Sequence, residues 1–184
     1  MDLTSLQHTL SGLKHYPIEE WHPPFCGSIP IHIHRDGAWL YQGSPINRLE
    51  LVRLFAAILS YQQGRYLLTT PAEQVEISVD DAPFVLVDHR WVYGATPTPT
   101  LQVTSSVGEN YLISAELPVL LQPEPASLEL LPYLQLPRGL TAKFGRHLYY
   151  ALVEEALNQP QTRAGELWLR SGETEFCLGH FAED

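Results

Sequence analysis

Cysteine is almost missing from this 184-residue chain, with Cys26 and Cys177 as its two thiols. Two thiols are too few for a secreted disulfide scaffold, and their spacing does not fit C-x-x-C chemistry, so both read as small buried hydrophobes. Cations are scarce as well. Eleven Lys plus Arg against 21 Asp plus Glu leave a formal net charge of −10, which excludes the dense positive footprint that a nucleic-acid polymer or an anionic lipid surface requires. No apolar run is long enough to span a bilayer, and the N-terminus lacks a cationic stretch followed by an apolar core, so a cytoplasmic location is expected. Also absent are G-x-S-x-G, H-E-x-x-H, G-x-x-x-x-G-K-[ST] and G-x-G-x-x-G, which makes binding a stronger expectation than catalysis. What the chain does have is 45% hydrophobic and only 17% charged residues, enough for a real core in one domain or two small packed units.

Leu3, Leu6, Leu10 and Leu13 line one face of a short helix, capped near Thr4 or Ser5 and ended by Pro17. Trp21 to Gly27, with two consecutive prolines, reads as an extended docked segment. Residues 29–43 alternate as a β-hairpin around Asp36-Gly37, a dipeptide suited to a two-residue type I′ turn. That register sets His34 against Trp39. It places His32, His34, Trp39 and Tyr41 on one face, and Ile31, Ile33 and Leu40 on the other. A helix follows, opened by Ser44-Pro45 or by Asn47 with Glu50, with a stripe of Leu51, Leu54, Phe55, Ile58 and Leu59, and stopped at Gln62-Gln63-Gly64. Period-two alternation predicts strands at 66–70, 74–79, 84–93, 100–105 and 111–117. Seven of the 15 prolines fall between Pro97 and Pro137 and exclude a long helix there. Further on, a hairpin around Pro137-Arg138-Gly139 precedes a second helix over 145–158 that buries Leu148, Leu152, Val153 and Leu157. A last hairpin turns at Ser171-Gly172.

These elements suggest a duplication, because Arg48 falls on Arg146, Leu54 on Leu152 and Leu59 on Leu157 at one offset. The expected fold class is α+β: duplicated hairpin-helix-strand units, mostly antiparallel, the second unit larger. The expected division is 1–23 as N-terminal helix and docked linker, 24–80 as the first α+β repeat unit and 81–184 as the second.

Chemistry-bearing groups are few. His22, Cys26, His32 and His34 offer zinc-type donors in a spacing that matches no standard motif, and a sheet-face histidine more often stacks or meets solvent. Neither a metal nor another cofactor is expected, and a metal-assisted hydrolase built on those four residues is the alternative. A second alternative is a protein–protein interaction module using strand edges. Asp80-Asp81 reads as a turn and Glu154-Glu155 as a solvated helix edge. Of the cations, Arg48, Arg53, Arg138, Lys143 and Arg146 lie near hairpin-to-helix junctions, where a guanidinium and helix N-terminal N–H groups suit a phosphate or carboxylate.

Phe25-Cys26-Gly27, Arg35-Asp36-Gly37-Ala38-Trp39, Gly43-Ser44-Pro45-Ile46, Leu51-Val52-Arg53-Leu54-Phe55, Thr70-Pro71-Ala72-Glu73, Val79-Asp80-Asp81-Ala82-Pro83-Phe84 and the stretch from Gly139-Leu140 to Tyr149-Tyr150 together resemble the bacterial domain-of-unknown-function family 1285, over about residues 24–179. The chain departs from that pattern at Gln74, where a lysine would be expected, and between Tyr93 and Pro132. The resemblance implies a second unit superficially like a pleckstrin-homology fold. It also implies a nucleotide-like ligand bound between the units, and a role in signal transduction. On that basis the candidate ligand-binding residues are Arg48, Lys143 and Arg146 for anionic groups, Trp39 and Tyr149 for stacking, and Asp36 and Asp81 as acceptors. The expected partner is a small anionic or nucleotide-like molecule, with a protein partner or a second copy also compatible.

Overall fold

The computed structural model describes residues 16–94, 97–160 and 163–180; the helix expected around Leu3 to Leu13 lies outside them. Two compact units emerge. The first runs through Asp80 and also takes in Pro137–Leu140, while the second holds Asp81–Leu136 and resumes at Thr141. Among the described residues no helix is long and apolar enough to cross a membrane.

In the first unit a 3-10 turn, Ile18–Glu20, leads to β1 (Phe25–Ile33), β2 (Trp39–Tyr41), β3 (Ser44–Pro45), α1 (Leu49–Ala57), β4 (Leu59–Gln62), β5 (Arg65–Thr69) and β6 (Gln74–Val79). Their order in the sheet is β3-β2-β1-β6-β5-β4, antiparallel except for the central β1–β6 pair. Two Gln-Gly dipeptides shape this unit. Gln42 and Gly43 have φ of 50° and 78°, and Gln63 and Gly64 have φ of 51° and 80°. Positive φ at both central residues is the type I′ signature. The first turn folds Ser44-Pro45 back onto β2 as Tyr41↔Ser44 and Leu40↔Pro45. Neither expected helix start therefore holds: α1 begins at Leu49, with Arg48 as an extended N-cap that makes no side-chain cap bond. The second turn joins β4 to β5, which ends α1 at Ala57 rather than near Gln62. Leu51, Val52 and Phe55 form the buried face of α1, while Leu54 is only half-buried.

The Asp36-Gly37 turn also differs from expectation. The Gly37 N–H donates to the His34 carbonyl at 2.8 Å, the His34 N–H donates to the Ala38 carbonyl at 2.9 Å, and Gly37 alone takes a positive φ, 87°. The loop therefore has three residues, and Ile33 rather than His34 pairs with Trp39. One residue of register moves a side chain across the sheet. Trp39 joins Ile31 and Ile33 on the core face, where it is 3% exposed and packs on Phe55 with ring centroids 6.4 Å apart.

The second unit contains β7 (Phe84–Val92), β8 (Thr100–Ser105), β9 (Asn110–Leu112), β10 (Val119–Pro123), β11 (Leu130–Gln135), β12 (Thr141–Phe144), α2 (Arg146–Leu157) and the hairpin β13 (Glu166–Ser171) with β14 (Thr174–His180). Its six-stranded sheet runs β10-β11-β12-β7-β8-β9, again with one parallel pair, β12–β7, at its centre. Leu148, Leu152 and Ala156 form the buried row of α2, spaced four apart. Leu157 falls outside that row and is 64% exposed, and Val153 is half-buried, so neither anchors the helix as expected.

Among the described residues the architecture is a duplicated, mostly sheet, mixed α+β arrangement of two six-stranded sheets with two α-helices. Each sheet is a pair of three-stranded meanders joined first strand to last, so β1 to β6 correspond in order to β7 to β12. The helices do not correspond: α1 connects the two meanders of its sheet, whereas α2 follows the completed second sheet. The superposition of Arg48 on Arg146 is thus corrected. It matched two amphipathic helices of different topological rank.

Candidate functional site

The structure brings two of the expected ligand residues together, but against each other. Lys143 on β12 places Nζ 2.8 Å from Asp81 Oδ2, and the Tyr133 hydroxyl donates to Asp81 Oδ1 at 2.8 Å. The side chains of Lys143 and Asp81 are only 16% and 7% exposed, with Glu124 Oε1 a further 3.9 Å from Nζ. Such a pair holds the fold; its charge is already satisfied. Arg146 is exposed at the first residue of α2. Tyr149, one turn on, is half-buried, and burial, with Tyr150, Cys177 and Glu129 nearby, pushes its phenol up. Arg48 is exposed at the start of α1, in the other unit. Trp39 is core and presents no stacking face to a ligand.

Two further roles are corrected. Arg138 does not serve the second helix. Its guanidinium donates to the Ala57 carbonyl at 2.6 Å, to Glu19 Oε1 at 2.9 Å and to the Tyr16 carbonyl at 3.3 Å, placing a cation at the C-terminus of α1, where the helix dipole favours one. Glu155 is not a solvated edge. Its Oε2 accepts from the Trp91 indole at 2.8 Å and its Oε1 lies 2.8 Å from His89 Nε2, tying α2 to β7.

The densest polar constellation lies in the first unit. His32 and Ser78 are Cα partners across the parallel β1–β6 pair, and Asp80 follows β6 immediately. His32 Nδ1 is 2.8 Å from Ser78 Oγ, and His32 Nε2 is 3.1 Å from Asp80 Oδ1. The Arg35 N–H donates to Asp80 Oδ2 at 3.1 Å, and His34 Nε2 lies 3.9 Å from the same oxygen. His34 Nδ1 sits 3.0 Å from Asp36 Oδ1, which also accepts from the Ala38 N–H at 2.9 Å. The Ala38 N–H, then His34, hold the Asp36 carboxyl below its ordinary value of 3.8. For Asp80, desolvation acts upward, but the Arg35 N–H and the two histidines prevail and its carboxyl too is lowered. A depressed pKa stabilises the fold at pH above the ordinary carboxylate value, and that contribution is lost as pH falls through the depressed one. Carbon-detected NMR titration should therefore give midpoints below 3.8 for both carboxyls. His32→Gln should raise that of Asp80, and His34→Gln that of Asp36; unchanged midpoints would contradict these assignments.

Among the described residues no group of three or more His, Cys, Asp or Glu side chains is placed to hold a metal ion. Cys26, expected as buried, is exposed, with Sγ 3.5 Å from the Pro24 carbonyl. Cys177 is buried, and burial pushes its thiol up. One thiol is thus expected to react with a disulfide reagent within minutes at neutral pH and the second only after denaturation. Two fast thiols would show that the Cys177 packing is wrong.

Two clefts lie in the first unit. One, of ≈ 360 Å³, is walled by Glu19, Trp21, His22, Gln62, Thr69 and Gln74, where Gln74 Nε2 donates to Thr69 Oγ1 at 3.1 Å. The other, of ≈ 400 Å³, is lined by Ser28, Tyr61, Arg65, Tyr66, Glu76 and Ser78. Tyr61 and Tyr66 face each other across the β4–β5 hairpin with ring centroids 4.6 Å apart, and the Arg65 guanidinium lies 4.9 Å from the centre of the Phe25 ring. His22 and Gln74 of the first cleft were noted from the sequence, as a zinc-type donor and as a departure from the family pattern; none of the residues named here for the second cleft was singled out. Reading Gln63-Gly64 as a turn would have paired Tyr61 with Tyr66 and exposed the cleft.

Residues 16–82 match the family model described as the N-terminal domain of the domain of unknown function DUF1285, and residues 83–178 match its C-terminal domain. The chain belongs to the DUF1285 family. A DUF1285 crystal structure from Silicibacter pomeroyi DSS-3 is similar at 36% identity and a TM-score of 0.83, covering 97% of this chain and 95% of that one. A second, from Shewanella baltica OS155, is similar at 33% identity and a TM-score of 0.55, covering 69% and 92% respectively. No curated protein matches.

Proposed function

We propose that this DUF1285 protein is a small-ligand-binding module whose ligand is planar and anionic, nucleotide-like in its chemistry, and that binding serves a signalling role. The reading is carried by the ≈ 400 Å³ cleft that groups Tyr61, Tyr66 and Arg65. Its size suits a small molecule. A base stacked on an aromatic ring gains about 1–3 kcal/mol, and a guanidinium matches phosphate or carboxylate oxygens in a planar fork. Ser28, Ser78 and Glu76 add hydroxyls and an acceptor able to orient a base edge. The second unit, with its mostly antiparallel six-stranded sheet and one helix, is read as pleckstrin-homology-like and as the part that couples the module to a partner.

Thermal unfolding against a panel of mononucleotides and cyclic dinucleotides tests the proposal. A ligand at 100 times its Kd raises stability by about 2.7 kcal/mol, and Arg65→Gln or Tyr66→Ala should abolish the gain. No shift from any member at millimolar concentration would reject it.

A further inference from the structure

A serine, an imidazole and a carboxylate are joined in that order on the surface of the first unit: Ser78 Oγ to His32 Nδ1 at 2.8 Å, and His32 Nε2 to Asp80 Oδ1 at 3.1 Å. We infer that Ser78 is a nucleophile, that His32 is its general base, that Asp80 is a positioning residue for the imidazole, and that the substrates are small carboxylic esters entering the cleft lined by Ser78, Tyr61 and Tyr66.

The geometry assigns the protons. An ionised Asp80 accepts from Nε2–H of His32, which leaves Nδ1 as the acceptor facing the Ser78 hydroxyl. The carboxylate is itself fixed, because the Arg35 N–H holds its other oxygen at 3.1 Å. A nucleophile bonded to a base, and a base oriented by a third group, is the arrangement that activates a hydroxyl. The Ile31 carbonyl, 3.4 Å from Ser78 Oγ, is the competing acceptor and lies farther away than the imidazole.

Access is also provided. Ser78 is exposed on β6 and forms part of the cleft wall. Opposite it β1 is irregular: Ser28 pairs with Glu76 and His32 with Ser78, so four steps along β1 match two along β6. Bulges of this kind re-aim side chains and are frequent beside reactive groups. Here the bulge places Ile29 in the cleft wall and delivers His32 directly across from Ser78. The paired rings of Tyr61 and Tyr66 favour an ester with a flat aromatic part.

In the reaction Ser78 Oγ attacks the ester carbonyl carbon while its proton moves to His32 Nδ1. The carbon–oxygen bond to the leaving alcohol or phenol then breaks, and that oxygen takes the proton from His32. Water attacks the acyl-Ser78 ester with His32 again as base, releasing the carboxylic acid and restoring the Ser78 hydroxyl.

The inference shares its cleft with the binding proposal but fails separately, because a serine-directed probe needs no nucleotide. The test treats the full chain with a fluorophosphonate and maps adducts by peptide mass spectrometry, with p-nitrophenyl acetate as the turnover substrate. The expected result is one adduct, on Ser78, formed at least ten times more slowly in His32→Gln, with ester turnover lost in Ser78→Ala. Asp80→Asn should slow labelling of Ser78, and Asp80→Glu, which keeps a carboxylate acceptor, should recover part of that rate. A purely structural Asp80 would leave the labelling rate of folded Asp80→Asn unchanged. No adduct on Ser78, or an adduct formed equally fast in His32→Gln, would overturn the inference.

Discussion

Lys143→Ala should destabilise the protein by about 3–5 kcal/mol, the usual result of removing one partner from a buried ion pair. The variant leaves the Asp81 carboxylate, with a side chain 7% exposed, without the ammonium that stood 2.8 Å away. The Tyr133 hydroxyl still donates to its other oxygen, but a neutral donor does not replace a counter-charge. The pair also bridges distant parts of the second unit, since its members are 62 residues apart in sequence. Urea unfolding at neutral pH measures the effect. Asp81→Asn combined with Lys143→Met, which removes both charges, should recover more than half of the loss, because the cost is an unpaired buried charge rather than a missing attraction. A loss below about 1 kcal/mol in Lys143→Ala would place the pair with ordinary surface contacts.

The second large effect is expected at Phe55. Its ring is fully buried and packs against Trp39 with an interplanar angle of 25°. Truncation to alanine removes the contact between α1 and Trp39 of β2, and substitutions of this type cost about 3–5 kcal/mol. Trp39→Phe tests the same contact from the other side with a contrasting expectation. Among the described residues the buried indole Nε1 of Trp39 has no hydrogen-bond partner, and an unsatisfied buried donor costs about 1–3 kcal/mol. Removing it offsets the lost packing area, so the net change in unfolding free energy should stay within about 1 kcal/mol of zero. Similar large losses in both variants would mean that the indole N–H is satisfied.

Local alternation carried much of the fold. The strand read at 100–105 is β8, Thr100–Ser105, and the one read at 74–79 is β6, Gln74–Val79, because period two is imposed by each strand on its own residues. The second helix, read over 145–158, spans Arg146–Leu157. Turn chemistry was harder to read. Asp-Gly is the familiar tight-turn dipeptide, yet it forms the three-residue loop, while two Gln-Gly pairs with glutamine in the left-handed region form the tight turns. The Gln42-Gly43 turn displaced the start of α1, the Gln63-Gly64 turn concealed β4, and the three-residue loop at Asp36-Gly37 turned Trp39 to the other face. Long-range pairing was illegible for a different reason. His32 meets Ser78, and Lys143 meets Asp81, only after strands distant in sequence adopt a definite register, and no local pattern encodes that register. The family resemblance supplied the membership, but not these contacts.

The excursion of Pro137–Leu140 into the first unit has a consequence for how the molecule can be divided. Arg138 and Gly139 are inserted there as a small wedge: Arg138 caps α1 through Ala57, and Gly139, at φ 71°, passes so near β4 that an added Cβ would lie 2.7 Å from the Tyr61 carbonyl oxygen. A polypeptide ending at Asp80 would lack its own wedge, and one starting at Asp81 would carry a wedge with nothing to receive it. The two halves are therefore not separable cassettes. A chimera joining the first half of one family member to the second half of another would have to bring an arginine at 138 and a glycine at 139 onto the main-chain carbonyls of positions 57 and 61, which a single cut leaves on the other segment.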